Sequence, residues 1–134
     1  MLRIEETLDI KKIEELRKQS GGSLDAHDNF SWHIVLAEDG EALGVARLYN
    51  FSDGLFLDDP CVPGNEEKYC EALFRTLLLK AVELKKTAYT KQAGGKKKHG
   101  FAAFGDIMKA DYKSILFPKR CKETNRKSEE KTYD

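Results

Sequence analysis

Cysteine is scarce in this chain and badly spaced for cross-linking. Of the three, Cys61, Cys70 and Cys121, none falls in a C-x-x-C pair, and an odd number leaves one over. A disulfide framework or a zinc site is therefore poorly supported, and buried thiols are expected. Nor do His27, His33 and His99 show ligand spacing, so no metal site is expected. No apolar run approaches the roughly 20 residues needed to cross a bilayer. The start, "MLRIEETLDI", has acids where a signal peptide needs a basic start and an apolar run, which predicts a cytoplasmic location. Net charge is absent as well: 23 basic side chains balance 23 acidic ones. No internal repeat is visible.

The balance hides an asymmetry, because residues 1 to 71 carry 7 basic and 16 acidic side chains and the remainder carries 16 and 7. A fold that kept these halves on different sides would attract amines to one and polyphosphates to the other. With 134 residues, 40% hydrophobic and 34% charged, the chain has the size and composition of one globular domain.

"LRIEET" reads as a first strand. Asp9 then stands as an N-cap, flanked by Leu8 and Ile13 at staple spacing, and an apolar stripe of Ile10, Ile13 and Leu16, with Arg17 beside it, predicts a helix to about Gln19, stopped by "SGGS". Residues 20 to 30 read as a loop. "SWHIVLA" alternates Trp32, Ile34 and Leu36 with His33, Val35 and Ala37 and is apolar on both sides, which predicts a central strand. Asp39-Gly40 and Asp53-Gly54 mark two hairpin turns, so "ALGVARLYNF" and "LFLDDPCV" complete a three-strand meander, interrupted where Pro60 has no N–H to donate.

Cys70, Leu73, Phe74, Leu77, Leu78, Ala81 and Val82 recur at helical spacing and predict the clearest helix, packed on the sheet. "TAYT" is a further strand and "KQAGGKKKHG" a loop with His99 in solvent. "FAAFG" and "YKSILFP" are the last two strands, and 122–134 is a polar tail.

The order strand, helix, meander, long helix, terminal strands resembles the GNAT superfamily of acyl-CoA N-acyltransferases over residues 1 to 121. The likeness rests on "IVLAEDGEALGVARLY", on "LFLDDPCV" running into the long helix, and on "HGFAAFG" near the end. It implies an α+β fold: a single, reduced GNAT-like domain with a mixed, mostly antiparallel sheet flanked by helices. It also implies acetyl-CoA as acyl donor and an amine, on a small molecule or a protein, as acceptor.

In that family a Q/R-x-x-G-x-G/A loop before the long helix wraps the coenzyme A pyrophosphate. Here the matching positions are Asn65, Lys68 and Cys70, so the basic residue and both small residues are replaced. Glu66 and Glu67 bring negative charge to the helix start, where each favours the dipole by about 0.3–1 kcal/mol but opposes a diphosphate. Self-capping by Asn65 and these acids is the resulting expectation; Lys68 and Gly64 remain to serve a phosphate.

The resemblance further implies that the backbone of Asp59 to Val62, with the Cys61 and Val62 amides, holds the pantetheine arm, and that Gly64 to Cys70, Tyr69 included, meets the phosphates. Asp58 or Asp59 is a candidate base for the amine, and Tyr89 a candidate acid for the departing thiolate, since the family's tyrosine-bearing segment is only a loop here. The run Lys96 to Lys98 lacks interleaved aromatics, which argues against nucleic acid; the adenosine 3′-phosphate is another destination for it. An unpaired edge among the last strands allows a homodimer. Two readings stay open: an acetyl-CoA-dependent N-acetyltransferase, and a non-catalytic domain of the same fold that binds or regulates a partner.

Overall fold

The computed structural model describes residues 1–118. Cys121, the end of the expected domain (119–121) and the expected tail (122–134) lie outside the described residues. Seven strands form one sheet: β1 (Leu2–Glu6), β2 (Trp32–Glu38), β3 (Glu41–Phe51), β4 (Gly54–Leu57), β5 (Ala88–Lys91), β6 (Ala102–Phe104) and β7 (Ile107–Ala110). Their spatial order is β1-β2-β3-β4-β5-β7-β6. Only β4 and β5 run parallel; every other neighbouring pair is antiparallel. Helices α1 (Ile10–Gln19) and α2 (Glu67–Glu83) pack on opposite faces, and no described helix is long and apolar enough to cross a membrane.

The period-two pattern of β2 decides which side chain meets which helix. Ile34 and Leu36 join Leu48, Leu55, Leu57 and Ala88 under the α2 side chains Leu73, Phe74, Leu77, Leu78 and Ala81. Val35 faces the other way, with Val45 of β3 and with Ile13 and Leu16 of α1. Asp9 caps α1 by accepting the Lys12 amide at 3.2 Å. The expected staple does not form, because Ile13 turns fully into the sheet while Leu8 stays 93% exposed.

Four further expectations are corrected. The second hairpin turns on Ser52 and Asp53, and Gly54 is already strand. Residues 20–30 and the "KQAGGKKKHG" segment contain short 3-10 helices, Ala26–Asn29 and Gly94–His99. "YKSILFP" is not a strand: "IMKA" takes that place after a Gly105–Asp106 turn, and the later residues pack beside the middle of α2, with Phe117 and the Pro118 carbonyl at Arg75, while Ile115 enters the core. His99 is buried against Phe74, not solvated, and burial pushes its pKa down.

Gly54 is glycine for a steric reason. A Cβ there would lie 2.0 Å from the Thr87 carbonyl oxygen, where β5 begins alongside. Gly54→Ala should therefore lower stability by about 1–3 kcal/mol, the usual cost of overpacking. The check is a lower urea midpoint with an unchanged denaturant slope.

Candidate functional site

The site begins where β4 leaves β5. The two strands pair from Leu55 to Leu57 against Ala88 to Thr90. On its other side β4 stays with β3: the Asp58 amide donates to the Arg47 carbonyl (3.1 Å), and Cys61 and Val45 exchange both backbone bonds (2.8 and 3.0 Å). Between the pairs Leu48↔Leu57 and Val45↔Cys61, β4 carries one residue more than β3. This is a bulge built from Asp58, Asp59 and Pro60, and it bends the strand away from β5. Cys61 spends its amide on β3, which leaves the Val62 amide, of the two expected to meet the pantetheine arm, without a backbone partner among the described residues.

Two cavities flank the bulge. One, of about 340 Å³, lies between α2 and the 94–99 segment and is lined by Asn65, Glu67, Cys70, Phe74, Lys96 and Lys98. The other, of about 470 Å³, opens on the face covered by α1 and is lined by Asp25, His27, Arg47, Tyr49, Phe56 and Asp58. Asp59 and Pro60 line both. Lys96 stands at this shared wall: its ammonium donates to Asp59 Oδ1 (2.9 Å), Thr90 Oγ1 (2.9 Å) and the Lys91 carbonyl (3.3 Å), and lies over the Phe74 ring.

The start of α2 is not self-capped as expected. Gly64 (φ 84°) and Asn65 (φ 53°) are both left-handed, so the residue entering the helix is Glu66, and no side chain caps the first turn. Those amides and the dipole are left for an anion. Of the expected phosphate ligands, Asn65 and Cys70 line the smaller cavity. Lys68 and Tyr69 turn toward Leu2 and Glu38 at the β1 edge, and Lys68 lies over the Tyr69 ring. Lys96 and Lys98 supply the positive charge instead, Lys96 paired with Asp59 (2.9 Å) and Lys98 with Glu71 (3.7 Å), and Glu67 adds a third carboxylate to the lining. The smaller cavity therefore joins the uncapped start of α2 to a partly apolar wall of Cys70, Phe74 and Pro60, without a glycine-rich wrap.

On the other face a charged network fixes the bulge. Arg47 donates to Asp58 Oδ2 (2.5 Å), to both Asp25 oxygens (2.7 and 2.9 Å) and to Asp28 Oδ1 (3.0 Å). Arg17 meets both oxygens of Asp28 (2.7 and 2.6 Å), and the Asp25 amide adds a third contact (2.7 Å). Hydrogen bonds from Arg47 hold the Asp25 carboxyl far below the usual range. Burial alone would raise Asp28, but the Asp25 amide and the two guanidinium groups outweigh it and hold this carboxyl low. Beside them His27 stacks on Tyr49 at 4.3 Å, and burial together with Asp58 pushes the Tyr49 phenol up.

The structure brings Asp58 and Asp59 together at the bulge but gives them different work. Asp58 belongs to Arg47; Asp59 is half exposed and faces both cavities. It does not bring Tyr89 there, because that hydroxyl donates to Asp53 at the opposite end of β4. Cys61 lines the larger cavity, and burial pushes both its thiol and that of Cys70 up, away from nucleophilic use. Among the described residues no cluster of metal-ligating side chains occurs. Sequence reasoning missed Arg17, Asp25, Asp28 and Arg47; the readable signal was an arginine on the same strand face as Val45, in the middle of an apolar strand.

No family model matches the sequence, and no curated protein matches it. Solved structures do. A GNAT family acetyltransferase from Brucella melitensis in complex with acetyl-CoA superposes with a TM-score of 0.70 at 14% identity, over 87% of this chain and 91% of that one. The chain has the GNAT fold. PaiA N-acetyltransferase from Thermoplasma acidophilum in complex with coenzyme A (TM-score 0.63, 11% identity, 84% and 99% covered) is similar to it as well. So is an N-acetyltransferase from Staphylococcus aureus (0.66, 11%, 84% and 98%). At these identities the likeness concerns the fold, and activity must be argued from the GNAT-like cleft itself.

Arg47→Ala would leave Asp25, Asp28 and Asp58 uncompensated and should cost about 3–5 kcal/mol in urea unfolding at neutral pH. Asp28 has a lowered folded pKa, so its contribution is full above about pH 4 and is lost as pH falls through the folded value. Asp28→Asn should accordingly lie well below wild type at pH 7, and the gap should narrow as pH drops under 4.

Proposed function

We propose that this chain is an N-acyltransferase that takes an acyl group from acetyl-CoA and delivers it to an amine. The observation that carries the reading is the pair of cavities meeting at one wall, Asp59–Pro60, at the point where β4 and β5 part. Acyl transfer needs a donor thioester and an acceptor amine brought to a common atom from separate sides. The smaller cavity, with the open start of α2 at its rim, suits the coenzyme; in the larger one Arg47 answers Asp25 and Asp58, which leaves Asp59, with the His27–Tyr49 stack nearby, to meet an amine.

Bound acetyl-CoA would supply an activated carbonyl. Asp59, half exposed and unburdened by Arg47, takes the amine proton as the amine attacks. The Val62 amide, which β3 does not engage as it does that of Cys61, is the backbone donor for the developing oxyanion. Among the described residues no tyrosine lines the smaller cavity, and a thiolate, of pKa about 8.5, departs without a strong acid. The acceptor is a cationic amine on a small molecule or a protein. One arrangement favours the second reading, a domain that binds or regulates a partner without catalysis: Lys96 bridges the gap and Glu67 faces the phosphate end.

Thermal melting with acetyl-CoA and with coenzyme A separates the two. Saturation at 100 times the dissociation constant adds about 2.7 kcal/mol, which raises the melting temperature by several degrees. Glu67→Gln should enlarge that shift, Lys98→Ala should shrink it, and Lys68→Ala should leave it alone. No shift at millimolar ligand would favour the non-catalytic reading.

A further inference from the structure

We propose that Lys96 is an acyl acceptor of this chain, acetylated in cis by a thioester bound in the cleft. The inference rests on the acyl-CoA reading above and goes beyond it by naming a modification site. Three observations carry it. Lys96 lines the smaller cavity, the side proposed for the thioester, and its amine touches Asp59, a residue that lines both cavities. Its position is fixed by Asp59, Thr90 and the Lys91 carbonyl, and its side chain is only 12% exposed, unlike the neighbouring Lys97 and Lys98, which are exposed. The carboxylate 2.9 Å away, Asp59, is the group proposed as base for the external amine.

The step balances without a further reagent. The Lys96 ammonium passes a proton to Asp59, and the nitrogen forms a bond to the thioester carbonyl carbon. The carbon–sulfur bond then breaks, coenzyme A leaves as its thiolate, and the second proton lost from nitrogen ends on that sulfur or in solvent. A fixed amine beside a bound thioester reacts as if at very high concentration; well-oriented intramolecular reactions reach effective molarities of about 10⁵ M and more. The exposed lysines Lys97 and Lys98 depend on random encounter with free thioester. The product amide carries no charge, so the bridge from Asp59 to Thr90 is undone and the carboxylate is freed toward the acceptor cavity.

The test follows acetylation of the full chain by acetyl-CoA with peptide mass spectrometry, alongside the coenzyme A melting shift. Lys96 should be labelled at least about tenfold faster than Lys97 and Lys98. Asp59→Asn should bring Lys96 down to their rate, and unfolding in urea should abolish the difference. Lys96→Arg, which keeps the cation but offers no acylable amine, should lose the label at this position. A melting shift with Lys96 labelled no faster than Lys97 would overturn self-acylation and leave the acyltransferase reading standing. A preference for Lys96 that persisted in urea would overturn it too, as a property of local sequence. Neither shift nor label would remove both.

Discussion

The bulge of Asp58, Asp59 and Pro60 governs much of what this domain offers. A strand that cannot donate at one position and carries one residue too many cannot hold both neighbours, and β4 keeps β3 while releasing β5. The release creates a wedge-shaped gap between two strands that are otherwise paired in parallel. Each cavity exists because that gap exists, and the bulge residues become the partition between them. The polar groups follow: Asp58 is drawn to Arg47 on one side, and Asp59 is left facing both.

The bulge in turn depends on charge held below the sheet surface. Arg47 reaches Asp58 on the bulge and Asp25 and Asp28 in the segment after α1, so the wall of the larger cavity is tied to the helix-side loop by one guanidinium. Asp28 is shared with Arg17. Such a network adds little net stability compared with an apolar core, but losing one member strands the others. Its effect is positional: it fixes the angle at which the bulge meets the two cavities.

How much of this could be read from residues alone varied with the range of the cause. Period-two alternation in "SWHIVLA" and the apolar repeat from Cys70 to Val82 are local, and both elements and their buried faces follow from them. The Pro60 interruption was equally legible. What escaped depends on distant partners. Glu66 takes the position before α2 because two left-handed residues precede it, so Asn65 misses the cap. "IMKA" outcompetes "YKSILFP" as the strand beside β5, a choice made by the Gly105–Asp106 turn and by the burial of Ile115 in the core beside α2. Arg47 and Asp28 are 19 positions apart, and no spacing rule links them. Lys96 looked like part of a solvated run until the fold set it against Asp59 and Phe74.

His99 and Leu116 are joined by two contacts: the Leu116 amide donates to the His99 carbonyl at 2.9 Å, and His99 Nδ1 lies 3.0 Å from the Leu116 carbonyl. Arg75 of α2 holds the Pro118 carbonyl a little farther on. The stretch after β7 is therefore a clasp on the lysine-bearing rim, and whatever tugs on the chain beyond Pro118 pulls on the mouth of the cleft.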